Sequence, residues 1–161
     1  MDWRTATGFL KMLSIMKKPY FIALGLMFST ALLRLAVADF EFGNLTFDSG
    51  NFALAVRDYS VQHDRPHLPG YILYVVFLKV LSSITASPGI AASILFSSLS
   101  SSVFFWLFKK WFSSGCALII TLFILVNPMA WFSGATAEIY SFELLFSGLL
   151  VLAGTSHRWI Y

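Results

Sequence analysis

The sequence predicts an all-α protein, a polytopic bundle of transmembrane helices. Of its 161 residues, 58% are hydrophobic and only 12% are charged, a balance far more apolar than that of a soluble domain. The mean hydropathy is +0.76. Apolar runs close to the roughly 20 residues that an α-helix needs to cross a bilayer also recur along the chain. These observations argue against a soluble enzyme and predict a single membrane domain over residues 19–154.

Four apolar runs are predicted to span the membrane, at residues 19–38, 89–108, 115–134 and 139–154. The first begins at Pro19, where a missing backbone N–H costs little because the first helical position has no intrahelical partner. Apolar and basic residues recur at helical spacing over residues 1–18, which predicts an interfacial helix. Residues 155–161 are predicted to form a cytoplasmic tail. Asn127-Pro128 lies inside the third run and predicts a kink or the end of regular helix.

The apolar segment at residues 70–87 is predicted not to span, because Lys79 lies at its centre and Pro88 follows it. If it spanned, Lys109 and Lys110 would lie outside, against the positive-inside rule. If it lies along the outer interface, seven of the eleven basic residues become cytoplasmic: Arg4, Lys11, Lys17, Lys18, Lys109, Lys110 and Arg158. We therefore predict four spans, both termini inside, and an external region of interfacial helices at residues 39–88.

Acidic residues concentrate on the predicted outer side. The external region contains Asp39, Glu41, Asp48, Asp58 and Asp64. Glu138 immediately precedes the fourth span on the same side, and Glu143 lies deeper, about 140° round a regular helix from Glu138. A carboxylate at the membrane edge is costly unless it faces water or a partner. This distribution predicts a polar pocket above the outer leaflet.

Three motifs occur in order on this side: Asp48-Ser49-Gly50, Pro66-His67-Leu68-Pro69-Gly70-Tyr71 and Ala137-Glu138-Ile139-Tyr140. In these motifs the chain resembles the GT-C class of membrane glycosyltransferases, and most nearly the bacterial membrane proteins of unknown function related to transmembrane O-mannosyltransferases. The chain departs from the family pattern at Leu68 and Ile72, where proline is usual, and at Ser49 and Asn51, where a second acid often follows the first. Family members have many more spans, so the resemblance implies the N-terminal part of a GT-C fold, or a truncated relative.

The resemblance implies that Asp48 is the essential acid of the first external loop. It would act as a general base that removes a proton from the acceptor hydroxyl, a role worth roughly 10²–10⁴ in rate. Asp48 also fits an N-cap for a short helix, and the two roles can coexist. Glu138 is expected to support Asp48 in the same pocket, although a glutamate in a first helical turn also complements the helix dipole.

The substrate-binding residues are expected to be Arg57, Arg65, His67 and Tyr71. Either arginine suits bidentate contact with a carrier phosphate, and the histidine can donate to that phosphate. Tyr71 fits the aromatic belt at the bilayer interface. Ordinary loop hydrogen bonding is the alternative for all of them. The spacing of His63, Asp64 and His67 is not a zinc pattern, so we expect no metal and no other cofactor.

The resemblance implies transfer of a sugar, with mannose as the candidate, from a polyprenyl- or dolichyl-phosphate carrier to an acceptor hydroxyl at the outer face. Activity is expected if the chain has the remaining spans of such an enzyme. The alternative is a small non-catalytic membrane scaffold or partner subunit. The expected partners are the lipid-linked donor, membrane lipids and an unidentified acceptor, but not nucleic acid, because the basic residues flank apolar runs. We expect a multi-pass protein of the bacterial inner membrane rather than the endoplasmic reticulum.

Overall fold

The computed structural model describes residues 18–38 and 46–155, and the regular structure within these ranges is helical. The α-helices are α1 (Pro19–Val37), α2 (Phe47–Arg57), α3 (Ile72–Leu81), α4 (Pro88–Lys109), α5 (Ser114–Leu125), α6 (Pro128–Ala135) and α7 (Tyr140–Gly154), with a short 3₁₀ turn at Val61–His63. The predicted all-α class is confirmed. Apart from Lys18 and Thr155, the interfacial helix predicted at residues 1–18 and the tail predicted at 155–161 lie outside the described residues.

Among the described helices, α1 with 19 residues and α4 with 22 are long and apolar enough to cross a membrane. Helices α5 and α6 together make a third candidate span, bent by 68° at a short break. The 15 residues of α7 measure about 22 Å at about 1.5 Å per residue, less than the roughly 30 Å hydrocarbon core. Residues 18–38 and 46–155 thus contain two candidate spans, or three with the bent pair, and the predicted fourth span stays a prediction.

The break between α5 and α6 falls at Asn127-Pro128, as predicted. Pro128 has no backbone N–H to continue the helix. Asn127 caps the new helix, because its side-chain oxygen accepts from the backbone N–H of Met129 at 2.9 Å. The run predicted as one span at residues 115–134 is therefore two helices with different directions.

Helix α4 is the centre of the bundle, and each of the other helices packs against it. Most of its serines are buried and donate to carbonyls of their own helix, as Ser100 does to Phe96 at 2.7 Å. Ser93 and Ser102 instead donate to carbonyls of other segments, those of Glu138 and Ala23. Small side chains of this kind let neighbouring helices approach closely. At the crossing with α7, a Cβ on Gly148 would lie only 3.1 Å from Val103.

Helix α3 has ten residues, about 15 Å of helix, so it is too short to span. It buries Tyr74, Val75 and Leu78 and exposes Leu73 and Val80. The buried face joins an apolar cluster in which the rings of Phe52 and Tyr74 meet edge to face at 5.0 Å. This cluster holds α2 and α3 against the bundle. The finding agrees with the prediction that residues 70–87 do not span.

Candidate functional site

The first turn of α2 presents Asp48. The helix is capped by Thr46, whose hydroxyl accepts from the backbone N–H of Ser49 at 3.1 Å. Asp48 is the second residue of the helix, so the alternative prediction that Asp48 is the N-cap is wrong. The physical reason is that the helix begins earlier than the Asp48-Ser49-Gly50 motif indicates. The Asp48 side chain, 37% exposed, is free to face a ligand while its charge complements the helix N-terminus.

Glu138 lies in the connection between α6 and α7 and is only 4% exposed. Its backbone carbonyl accepts from the Ser93 hydroxyl of α4 at 3.1 Å and is approached by the Tyr74 hydroxyl of α3 at 3.5 Å. Its carboxylate oxygen Oε1 accepts a hydrogen bond from Thr46 at the start of α2. Three helices therefore hold this one residue.

Thr46 links the two predicted acids, because it binds Glu138 and caps the helix that carries Asp48. Burial raises the pKa of Glu138 above its ordinary value, the hydrogen bond from Thr46 opposes that rise, and the charge of Asp48 adds to it. The second carboxylate oxygen, Oε2, is buried and has no hydrogen-bond partner in the described part of the chain. Glu138 therefore retains an unused hydrogen-bonding position beside a second carboxylate.

The His67 side chain lies next to that of Asp48. Its Nδ1 lies 3.5 Å from Asp48 Oδ1, longer than an N–H···O bond of about 2.7–3.2 Å, and this buried nitrogen has no hydrogen-bond partner among the described residues. The imidazole packs against the rings of Phe52 at 6.2 Å and Tyr71 at 5.4 Å. The structure thus brings Asp48 of the first motif together with His67 and Tyr71 of the second.

The loop that carries His67 has an unusual backbone at its end. Tyr71 has a φ of 41°, in the left-handed region that residues other than glycine rarely adopt. The preceding Gly70 has a φ of 92°, and a Cβ there would lie 2.6 Å from the Tyr59 hydroxyl oxygen. That hydroxyl donates to the Gly70 carbonyl at 3.0 Å. These contacts direct the Tyr71 ring towards Phe52 and His67.

A cavity of about 480 Å³ lies between α2, the end of α3 and the start of α4, a size typical of small-molecule sites. Its polar lining comes from Ser49, Arg57, Ser82 and Thr85, and its remaining lining from Phe52, Ala53, Val56, Leu78, Ala86, Pro88, Gly89 and Ala137. Asp48 and Glu138 do not line it, but each is the immediate neighbour of a residue that does. A Cβ on Gly89 would lie 2.7 Å from the Ala137 Cβ, so glycine permits this close approach.

The two candidate arginines have different surroundings. Arg57 lines the cavity, eight residues after Ser49 on the same face of α2. Arg65 instead forms a surface ion pair, with its Nη1 2.9 Å from Asp58 Oδ2. Arg65 does not line the cavity. The structure therefore separates two residues that the sequence treated as equivalent.

A second, apolar groove of about 520 Å³ lies between the bent pair α5–α6 and α7. Tyr140, Asn127 and Ser133 contribute polar atoms to a lining otherwise made by Ile120, Phe123, Ile124, Met129, Ala130 and Leu144. The short segment from Ala137 to Tyr140 borders both spaces, because Ala137 lines the cavity and Tyr140 the groove. Glu138 lies between these two residues.

Sequence reasoning missed the residues that hold Glu138, namely Thr46, Tyr74 and Ser93. A signal was present only for Thr46, a hydroxyl residue just before an apolar helical segment and therefore a typical N-cap. Tyr74 and Ser93 reach Glu138 from sequence separations of 64 and 45 residues, which no local pattern reveals. Within residues 18–38 and 46–155, no group of three or more His, Cys, Asp or Glu side chains is arranged to hold a metal ion.

No family model, curated protein or solved structure matches this chain. The GT-C resemblance therefore rests on the three motifs alone. The case for a function depends on the geometry around Asp48, Glu138 and the cavity.

Proposed function

We propose that the chain is all or the N-terminal part of a GT-C-type glycosyltransferase of the bacterial inner membrane, with α7 as a fourth span. It transfers a sugar, with mannose as the candidate, from a polyprenyl- or dolichyl-phosphate carrier to an acceptor hydroxyl at the outer face. The observation that carries the proposal is the buried Glu138, tied through Thr46 to the helix that presents Asp48. Two carboxylates that influence each other's charge, one of them buried, next to a cavity with an arginine in its lining favour a catalytic site over a scaffold.

In this proposal Asp48 is the general base. The acceptor oxygen attacks the anomeric carbon, its proton passes to the Asp48 carboxylate, and the bond between that carbon and the phosphate oxygen breaks. The carrier phosphate leaves with the electron pair, and the configuration at the anomeric carbon inverts. His67, with Nδ1 3.5 Å from Asp48, orients the carboxylate. The buried Oε2 of Glu138, which has no hydrogen-bond partner among the described residues, would accept a hydrogen bond from the acceptor hydroxyl.

The polar cavity and the apolar groove suit the two parts of a lipid-linked donor. Arg57 and the Thr85 hydroxyl supply donors for a sugar and a phosphate in the cavity, and the charge-assisted bonds of an arginine to a phosphate are strong. The Ser49 and Ser82 hydroxyls donate to the backbone carbonyls of Thr46 and Lys79, so they can accept hydrogen bonds from sugar hydroxyls. The groove that ends at Tyr140 gives a lipid chain an apolar path to the same segment. The Asp58 ion pair occupies Arg65, so Arg57 is the better candidate for phosphate contact.

The test of the proposal compares Asp48→Asn with Asp64→Asn in native membranes supplied with a labelled polyprenyl-phosphate sugar. Asp48→Asn should lower transfer by at least about 10²-fold, because a positioned base is lost. Asp64→Asn is the matched control: Asp64 is exposed with a φ of 55°, a conformation that asparagine adopts readily. Unchanged transfer in Asp48→Asn would remove the assigned base. A wild-type protein that shows no transfer even when any spans that follow this sequence are present would favour the non-catalytic partner subunit.

A second pair of variants tests the assignment of the phosphate contact. Arg57→Gln should raise the KM for the donor about tenfold, since a charge-assisted hydrogen bond contributes roughly 1.5–3 kcal/mol. Arg65→Gln should leave the KM unchanged, because it removes only an exposed ion pair with Asp58. Steady-state transfer at varied donor concentration measures both. The reverse pattern, with the KM raised by Arg65→Gln alone, would place the phosphate outside the cavity.

A further inference from the structure

A buried arginine lies outside the site described above. Arg34, in α1, is only 2% exposed. Its Nη2 donates to the backbone carbonyl of Leu125 at 3.0 Å and to that of Ala130 at 3.2 Å. These two carbonyls flank the break between α5 and α6. One guanidinium therefore binds both helices of the bent pair.

The break explains why the Leu125 carbonyl needs a donor. In a continuous helix the Leu125 carbonyl would accept from the backbone N–H of Met129. That N–H is bound instead by the side-chain oxygen of Asn127 at 2.9 Å, and Pro128 has no N–H to offer. A carbonyl left without a donor is costly in an apolar surrounding. Arg34 supplies the donor that the break removes.

The surroundings of Arg34 are shaped to hold a guanidinium. Its plane lies over the Trp131 ring, with Cζ 4.1 Å from the ring centroid, a favourable arrangement for a cation. A Cβ on Gly134 would lie 2.6 Å from Arg34 Nε, so this glycine leaves the space that the side chain fills. Nε and Nη1 have no hydrogen-bond partner in the described ranges. Within those ranges, two backbone carbonyls and the face of the Trp131 ring are thus the contacts that offset the positive charge of Arg34.

Helix α6 connects this contact to the candidate site. It runs from Pro128 to Ala135, and Glu138 follows three residues after its end. Near that end, the carbonyl of Ser133 accepts from the Ser141 hydroxyl at 2.6 Å, which ties α6 to the start of α7. A change in the direction of α6 would therefore move the segment that contains Glu138.

We infer that Arg34 is a positioning residue that fixes the bend between α5 and α6 and, through α6, holds Glu138 against Thr46. Its packing role does not depend on the proposed glycosyltransferase activity. Its effect on transfer does rest on that proposed function. The two parts are therefore measured separately.

The packing role is tested by cysteine alkylation in the full chain in membranes. Cys116 is the single cysteine, so Cys116→Ser gives a background in which Ser141→Cys, a buried and nearly isosteric change, reports on the contact between α6 and α7. Adding Arg34→Met should accelerate alkylation by a water-soluble maleimide about tenfold or more. The variant loses the charge-assisted hydrogen bonds to the Leu125 and Ala130 carbonyls, so the contact between α6 and α7 should open more often. Arg34→Lys should largely restore slow alkylation, since its ammonium can donate to the same carbonyls. Equal rates with and without the Arg34→Met change would overturn the inference.

A second variant covers the case in which Arg34→Met does not insert. Gly134→Ala places a methyl group 2.6 Å from Arg34 Nε and should also accelerate alkylation. The matched control is Gly25→Ala, a helical position where a Cβ meets nothing within 4 Å, and this variant should leave the rate unchanged. Equal rates in Gly134→Ala and Gly25→Ala would also overturn the inference.

Transfer by the same variants tests the link to the site. Arg34→Met should lower kcat with little change in the KM for the donor, and Arg34→Lys should rescue kcat. Faster alkylation with unchanged kcat would show that the bend does not position Glu138. If the wild type transfers no sugar while alkylation responds as expected, only the proposed function fails.

Discussion

At the scale of single residues, the two glutamates near the start of α7 have opposite surroundings. Glu138 is buried and accepts from Thr46, whereas Glu143 is exposed in the first turn of α7. Their separation of about 140° round a regular helix predicts that they cannot both face one pocket. Burial raises the pKa of Glu138, so the folded protein binds a proton at this residue more readily than the unfolded chain does.

Glu138→Gln should change how stability depends on pH. The folded pKa of Glu138 lies above the ordinary 4.5, so wild-type stability is lost as pH rises from that value through the folded pKa. The glutamine variant does not titrate and should lose less stability over the same range. Thermal unfolding in detergent measures this difference, with Glu143→Gln as the exposed control. A Glu138→Gln variant whose pH dependence equals that of the wild type would contradict the raised pKa.

At the scale of secondary-structure elements, the start of α2 is the contact on which the site depends. Thr46 both caps the helix and donates to Glu138. Its hydroxyl thereby makes the position of Asp48 depend on that of Glu138. Thr46 and Glu138 are separated by 92 residues in the chain.

Thr46→Val should destabilise the protein while Thr46→Ser should not. The valine variant loses the cap, worth about 1 kcal/mol, and leaves a buried carboxylate oxygen without its donor, at a cost of about 1–3 kcal/mol. Serine keeps both hydrogen bonds. Denaturant unfolding in detergent measures the free energies. If valine and serine have the same stability, the hydrogen bonds of Thr46 do not hold α2.

The elements show what the sequence could predict. Prolines marked the start of α1 at Pro19, the start of α4 at Pro88 and the break at Pro128, because a missing N–H acts locally. The sequence left open whether Asp48 caps α2, and the structure shows Thr46 at the N-cap, since both residues suit a helix start and only the helix boundary decides between them. The contact of Ser93 with the segment before α7 has no local signal, because it joins residues far apart in the sequence.

The candidate site could be predicted only in part, because only some of its signals are local in the sequence. Hydropathy and charge indicated the external region and its acids, and the motifs selected Asp48, His67 and Glu138. The selection of Arg57 over Arg65 depends on which arginine faces the cavity and which faces Asp58. The role of Arg34 was also not visible, since the sequence shows only an arginine near the end of an apolar run.

At the scale of the whole molecule, α4 organises the site. It packs against the other helices, supplies Ser93 to hold Glu138 and brings Gly89 against Ala137 beside the cavity. Its last turn carries Lys109, which the positive-inside rule places in the cytoplasm. We expect α4 to have this orientation, which would put its N-terminal end, and with it the cavity, at the outer face.

The central claim is that the start of α2 and Glu138 form one site at that outer face. The most direct measurement is cross-linking of Thr46→Cys with Glu138→Cys in the Cys116→Ser background, using a short, membrane-impermeant bifunctional thiol reagent on intact cells. The pair Asp64→Cys with Glu138→Cys is the control, because Asp64 is exposed in a different loop. We predict an intramolecular cross-link for the first pair and none for the control. A first pair that cross-links only after the membrane is made permeable, or not at all, would contradict the claim.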